Sequence, residues 1–185
     1  MTYYGPNEMA AAFRTVRRNT IQIAEEIPED QYGFRPAPGT RSVAETLVHI
    51  AVMPWVQKRI QFDQRLNTLV GFDFFGLLGE LQAEVQKPRS KAEILEMLQT
   101  EGEQFATLLE GASEEFLGEI VSYPAGMMPP TKSRFEMLLA PKEHEMHHRG
   151  QLMTMQRLIG VKPHLTRQME ERIASMQAAA AAAKQ

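Results

Sequence analysis

Three times along this chain a serine is followed three residues later by a glutamate, just ahead of an apolar run: Ser42 with Glu45, Ser90 with Glu93, and Ser133 with Glu136. In that spacing the hydroxyl can accept from the third backbone N–H of a helix while the carboxylate reaches back to the N–H of the serine. Each pair then satisfies two otherwise unpaired donors and marks a helix start. A further helix is read from periodicity. Between Asn7 and Ile27 the residues Met9, Phe13, Val16, Thr20, Ile23 and Ile27 recur at spacings of three and four, until Pro28 stops the pattern. The other three helices should end near Leu66, Gly111 and Gly160. No stretch reads as a convincing strand. Four long helices in 185 residues predict an all-α four-helix bundle, one domain over residues 1–165, followed by an Ala-rich tail over residues 166–185 that is helical or partly disordered.

The connections carry their own signals. Glu29 to Arg41 is broken by Gly33, Pro36 and Pro38 and reads as an ordered loop anchored by Tyr32 and Phe34. Pro54 should bend the second helix, because it has no N–H to offer the carbonyl of Ile50. Asn67 to Lys87 holds Phe72, Phe74, Phe75, Leu77 and Leu78, too apolar for a solvated linker, and is expected to cover the bundle as a short helix or ordered loop. Prolines hold Tyr123 to Pro130 extended, and Pro141 should kink the last helix or split off its first two turns.

Composition removes several functional classes. A net charge of −3 argues against nucleic-acid binding, which needs a basic footprint to displace phosphate counterions. There is no cysteine, so thiolate metal sites, disulfides and cysteine nucleophiles are excluded, and any metal must be held by nitrogen and oxygen. No apolar run approaches the ~20 residues of a membrane span, and Met1 to Ala10 lacks a secretory pattern, so a cytoplasmic location without membrane contact is expected.

Three of the five histidines lie between Glu143 and Leu152. His144 and His148 are four residues apart, roughly 40° in azimuth and about 6 Å in rise on a helix, so both rings can converge on one ion. They share a stripe with Met137, Gln151, Leu152, Met155 and Ile159, which points inward. His49 shares its own stripe with Met53, Val56 and Ile60, so imidazoles from two helices could meet inside the bundle. Each could equally be a core histidine bonded to a nearby carboxylate or carbonyl, and the pattern leaves both readings open. His147 lies nearer the edge of the stripe and could replace His148 as the partner of His144. His164, beside Pro163, is expected at the surface.

The combination of Pro28-Glu29-Asp30-Gln31-Tyr32-Gly33-Phe34-Arg35-Pro36, Ser42-Val43-Ala44-Glu45-Thr46-Leu47-Val48-His49-Ile50 and His144-Glu145-Met146-His147-His148-Arg149-Gly150-Gln151 resembles the DinB-like superfamily. The resemblance covers most of Met9 to Gly160 and implies an up-down-down-up bundle. It also implies a divalent metal held by one histidine of the second helix and two of the last, here His49, His144 and His148. Pro141 departs from the family pattern, in which this helix is more often uninterrupted.

Three imidazoles on one ion leave coordination positions open, as in catalytic rather than structural sites. A divalent cation there can activate water or a substrate thiol. Zinc or nickel suits a sulfur-free, imidazole-rich site, and iron or manganese is compatible with it. Some members of the superfamily are thiol-dependent S-transferases and others are described as metal-dependent hydrolases, so the resemblance implies a small-molecule substrate, with a low-molecular-weight thiol as one candidate. A bundle that binds a metal or small molecule without catalysis, as a sensor or interaction module, is the competing reading. Glu45, one turn before His49, is the best carboxylate for a general base, set against its role in the capping box. Glu143 and Glu145 project about 100° to either side of His144 and should solvate the helix or support the ligands from behind. Trp55, Tyr123, Met127, Met128 and the Phe72 to Phe75 cluster are candidates to line a pocket or to cap the core. Phe135, Leu139, Met146, Gly150 and Met153 form a second apolar face on the last helix, which either mediates a homodimer or packs on the first helix.

Overall fold

Within the computed structural model, residues 4–183 are described, so residues 1–3 of the expected domain and 184–185 of the expected tail lie outside the described residues. Helix α1 is Pro6–Glu26, α2 Val43–Val52, α3 Pro54–Gln57, α4 Phe74–Gln86, α5 Lys91–Glu110, α6 Glu114–Gly118, α7 Arg134–Leu158 and α8 His164–Ala182. Two of the three expected capping boxes close fully. Ser42 Oγ accepts from Glu45 N at 3.2 Å while Glu45 Oε2 accepts from Ser42 N at 2.9 Å, and Ser90 and Glu93 do the same at 3.3 and 2.7 Å. At Ser133 only the first half forms, with Glu136 N donating to the hydroxyl at 3.2 Å; the carboxylate of Glu136 turns instead to Lys132 Nζ at 3.0 Å.

The bundle consists of α1, the α2–α3 segment, α5 and α7. Helix α1 packs on α5 and α7, and α2 packs on the same two helices, so α1 sits diagonally across from α2 and α5 diagonally across from α7. Cross-helix contacts fix the directions. Arg14 meets Glu103 and Glu110 while Lys91 reaches the carbonyls of Glu25 and Ile27, so α1 and α5 are antiparallel. Tyr4 meets Phe135 and Arg17 meets Glu145, so α7 runs with α1. His49 meets His144 while Gln61 meets Arg134, so the second helix runs against α7. The course is up-down-down-up, and the fold is the all-α four-helix bundle expected.

Pro54 does more than bend the second helix as expected; it interrupts it. Helix α2 stops at Val52, α3 restarts at Pro54, and a π-helical stretch carries the chain from Lys58 to Asp63. The Ile50 carbonyl is met by Arg17 Nη2 of α1 at 3.3 Å, so a side chain replaces the donor the proline lacks. Pro141 behaves differently: α7 passes through it as one 25-residue helix, so of the two expected outcomes, a kink or a split, the split does not occur. Helix α4 forms in the apolar connection and packs on α2.

Two features depart from expectation. A short antiparallel ribbon forms where no strand is predicted: β1, Ile120–Ser122, pairs with β2, Thr131–Ser133, with Val121 opposite Lys132. Strands of three residues are too short for alternation to announce them, and the proline-rich segment between them supplies the reversal. His164 is not at the surface but 1% exposed, with Nε2 at 3.4 Å from Asn19 Oδ1 of α1. Gly160, at φ 81°, turns the chain back after α7, so the start of α8 tucks against α1, where Arg167 also pairs with Glu26 at 2.6 Å. From Gln168 onward the described residues of α8 are exposed.

The apolar interior forms two clusters. The larger is built from Ile23, Leu47, Ile50, Leu98, Leu152 and their neighbours; the smaller, around Phe13, Phe105 and Leu138, receives Phe135 and Leu139 from the second face of α7. Met146 of that face is 44% exposed. No helix among the described residues is long and apolar enough to cross a membrane.

Candidate metal centre

His49 lies in the last turn of α2, and His144 and His148 lie one turn apart in the facing stretch of α7. Antiparallel packing brings the three rings together, with one ring nitrogen from each within 4.8 Å of the others. His144 Nε2 is 3.1 Å from His49 Nε2 and 3.1 Å from His148 Nε2. Two nitrogens each about 2.0–2.1 Å from a shared ion would be about 3.3 Å apart at a tetrahedral angle and about 2.9 Å apart at a right angle. Both separations at His144 fall between these and the third pair lies within 4.8 Å, so the cluster fits a divalent cation centred near His144 Nε2. It fits plain hydrogen bonding less well. An imidazole nitrogen carries either one proton or one lone pair, so His144 Nε2 can be satisfied by one of its two neighbours and not by both.

The surroundings keep these rings in a ligating state. Burial pushes the His49 imidazole down to about 3 and that of His144 to about 4, and it lowers His148 as well; the positive charge of Arg41 acts in the same direction on all three. Neutral imidazole is the form that binds a cation. Gln151, one turn beyond His148, accepts from His148 Nδ1 at 2.7 Å through Oε1 and donates to His147 Nε2 at 3.1 Å through Nε2. The proton of His148 is thereby held on Nδ1, and its Nε2 lone pair is left facing the cluster. Among the described residues His144 Nδ1 is buried without a hydrogen-bond partner. His147 itself is exposed and stands outside the cluster of three.

Two cavities reach the cluster. One of about 610 Å³ touches His148 and is lined by Thr40, Arg41, Gln82, Gln151 and Met155 among others. Its volume suits a small organic molecule. A smaller cavity of about 130 Å³, lined by Met53, Val56, Ala140 and Pro141, touches His144 from the apolar side. Trp55, Tyr123, Met127, Met128, Phe72 and Phe75 line neither: Met128 and Phe75 are exposed, and Trp55 donates to Glu101 at 2.6 Å.

The carboxylates near the histidines are committed elsewhere. Glu45 Oε2 accepts from Arg35 Nη1 at 2.7 Å as well as from Ser42 N, and Oε1 accepts from Arg35 Nη2 at 2.5 Å, an ion pair that holds the carboxyl below the usual carboxylate range. Glu145 does not solvate α7. It is 1% exposed and receives Arg17 Nε at 3.0 Å and Nη2 at 2.9 Å, while Arg17 also donates to the carbonyls of Leu98 and Ile50. Helix α7 packs against α1 as well as α2, so the face 100° from His144 is buried too. One guanidinium therefore joins α1, α2, α5 and α7 beside the histidine cluster. Gly102 makes room for it, since a Cβ there would come within 2.8 Å of Arg17 Cγ. Sequence reasoning missed Arg17 because it reads as a charged residue among Arg14, Arg17 and Arg18. Its signal was its place in the row Phe13, Val16, Thr20, where an arginine faces the core.

Comparison with known proteins agrees with this architecture. The model of the DinB superfamily matches residues 12–152. The uncharacterized protein YjoA of Bacillus subtilis is 25% identical over 158 residues, spanning 83% of this chain and 90% of its own. Its crystal structure superposes with a TM-score of 0.61, covering 83% of this chain and 92% of YjoA at 21% identity. YfiT of Bacillus subtilis, described as a probable metal-dependent hydrolase with an unusual four-helix bundle topology, superposes with a TM-score of 0.67 at 15% identity, covering 88% of this chain and 91% of YfiT. A sequence match over most of the chain, together with the shared bundle, places this chain in the DinB superfamily.

Proposed function

We propose that His49, His144 and His148 hold one divalent cation and that the protein is a metal-dependent enzyme acting on a small molecule in the adjoining cavity, with hydrolysis as its reaction. The observation that carries this reading is the convergence of three Nε2 atoms at separations suited to a shared ion, one of them opening onto a cavity of about 610 Å³. The description of YfiT as a probable metal-dependent hydrolase supports the choice of reaction. A donor set of three imidazoles without sulfur favours zinc or nickel over iron or manganese.

When bound, the cation would supply Lewis acidity, lowering the pKa of water or polarising a substrate oxygen. The chain's own residues do the rest. Burial keeps the imidazoles unprotonated, Gln151 sets the tautomer of His148, and the cavity admits substrate from the side of α4 and the loop before α2. The cavity lining contains no carboxylate. We assign Glu45 to the capping box, since a proton-accepting role would require it to leave both Arg35 and Ser42.

The test is elemental analysis of protein purified without an affinity tag, beside the His49→Ala, His144→Ala, His148→Ala triple variant, followed by a hydrolase panel with and without chelator. Stoichiometric metal in the parent alone and chelator-sensitive hydrolysis are expected. Equal metal content in the two proteins overturns the site. Chelator-sensitive turnover seen only when a small thiol is added replaces hydrolysis by S-transfer.

A further inference from the structure

The cavity beside His148 has a charge character of its own. Its single charged lining residue is Arg41, which precedes the N-cap Ser42 of α2. Among the described residues Arg41 has no ion-pair or hydrogen-bond partner, whereas Arg35 of the same loop is held by Glu45. Glu45 on α2, the carboxylate whose charge Arg41 feels, is already taken up by Arg35 and Ser42 N. The rest of the lining is neutral, with the hydroxyls of Thr40, Thr46 and Thr154 and the amides of Gln82 and Gln151. An unpaired guanidinium on the wall of a cavity that ends at a histidine cluster is a recognition element for an anion, because its fork of N–H donors matches the oxygens of a carboxylate or phosphate.

We propose that the substrate of this site is a small molecule bearing a carboxylate or phosphate, that Arg41 binds this anionic group, and that the other end of the molecule is thereby directed to the histidine cluster. The inference rests on the metal-dependent reading above and deepens it by naming a substrate class and a specificity-determining residue. The lone positive charge, with no acid in the lining, selects against cationic molecules and favours those with an oxyanion at one end.

Hydroxamates chelate zinc through one end of the molecule and leave the other free, which makes them suitable probes. The monohydroxamates of succinic, glutaric and adipic acid, their methyl esters and the corresponding phosphonates are titrated into the zinc-loaded full-length protein by calorimetry. At the best chain length, the parent should bind the anionic probes about tenfold tighter than the ester. Arg41→Gln should erase that preference while leaving the affinity for the ester unchanged, and Arg41→Lys should retain part of it. The tighter of the carboxylate and phosphonate identifies the oxyanion. Equal binding of acid and ester by the parent, or a parallel loss of both in Arg41→Gln, overturns the anion site and leaves the metal reading standing. Binding of the acid in an Arg41-dependent way with no binding of the ester keeps the anion site and removes the metal reading; binding of neither overturns both.

Discussion

Among the polar groups that α7 carries into the bundle, the adjacent residues Glu145 and His144 are treated in opposite ways. On the side facing α1, Glu145 meets Arg17, and both carboxylate oxygens and all three guanidinium nitrogens have partners, through the ion pair and the carbonyls of Leu98 and Ile50. On the side facing α2, the adjacent residue His144 has two ring neighbours for one Nε2 and no partner for Nδ1. Buried polar groups cost free energy unless they are paired. The satisfied side reads as scaffold, and the over-subscribed side as a place where a further ligand belongs. Each side supports the other. Arg17 holds the carbonyl of Ile50, the residue after His49, and the carboxylate of Glu145, the residue after His144, and so fixes the distance between the two helices that bear the imidazoles.

The comparison can be broken most forcefully on the scaffold side. Glu145→Leu leaves Arg17 buried without a counter-charge and should lower unfolding stability by about 3–5 kcal/mol, whereas Arg17→Met with Glu145→Leu together should recover most of it. Urea denaturation of the metal-free proteins checks this, and an equal loss in single and double variants would mean that packing, not charge pairing, dominates there. On the histidine side Gln151→Ala should leave metal-free stability nearly unchanged but weaken metal binding by about 10–100-fold, because the tautomer of His148 is no longer fixed. Competition with a chromogenic chelator measures it.

The smallest effect belongs to His164, a buried imidazole with a single hydrogen-bond partner, Asn19, among the described residues. Burial lowers its pKa below the ordinary value, so the unfolded chain takes up more protons than the folded one as pH falls below about 6.5. The stabilisation is complete above that pH and fades below it. The parent should therefore lose stability relative to His164→Gln between pH 7.5 and pH 5, by about 1 kcal/mol or less. No change in metal content is expected. Melting curves of the two proteins across that range decide it.

The sequence is most legible where one element suffices. The boxes at Ser42 and Ser90 place their helices, and the i, i+4 spacing of His144 and His148, with His49 on an inward stripe, brings out all three imidazoles of the cluster. Helical periodicity carries this far because it reports which side of a helix is buried. It is weaker when two sides are buried. Glu145 reads as solvated because α7 looks like a helix with one inward stripe, when its packing on both α1 and α2 buries the adjacent face as well. His164 reads as exposed because a single residue beyond a helix end has no periodicity, and only the turn at Gly160 brings it back to α1. Arg41 and Gln151 owe their positions to a cavity formed by α2, α4 and α7 with the loop before α2, and no local pattern encodes a cavity.

The central claim, that the over-subscribed side is a metal centre, is tested most directly by anomalous diffraction at the zinc and nickel edges from crystals of protein never exposed to chelator. A single strong peak is expected within bonding distance of Nε2 of His49, His144 and His148, facing the cavity that contains Arg41. Diffraction with no peak among these three atoms, or a peak that uses His147 in place of His148, would contradict it.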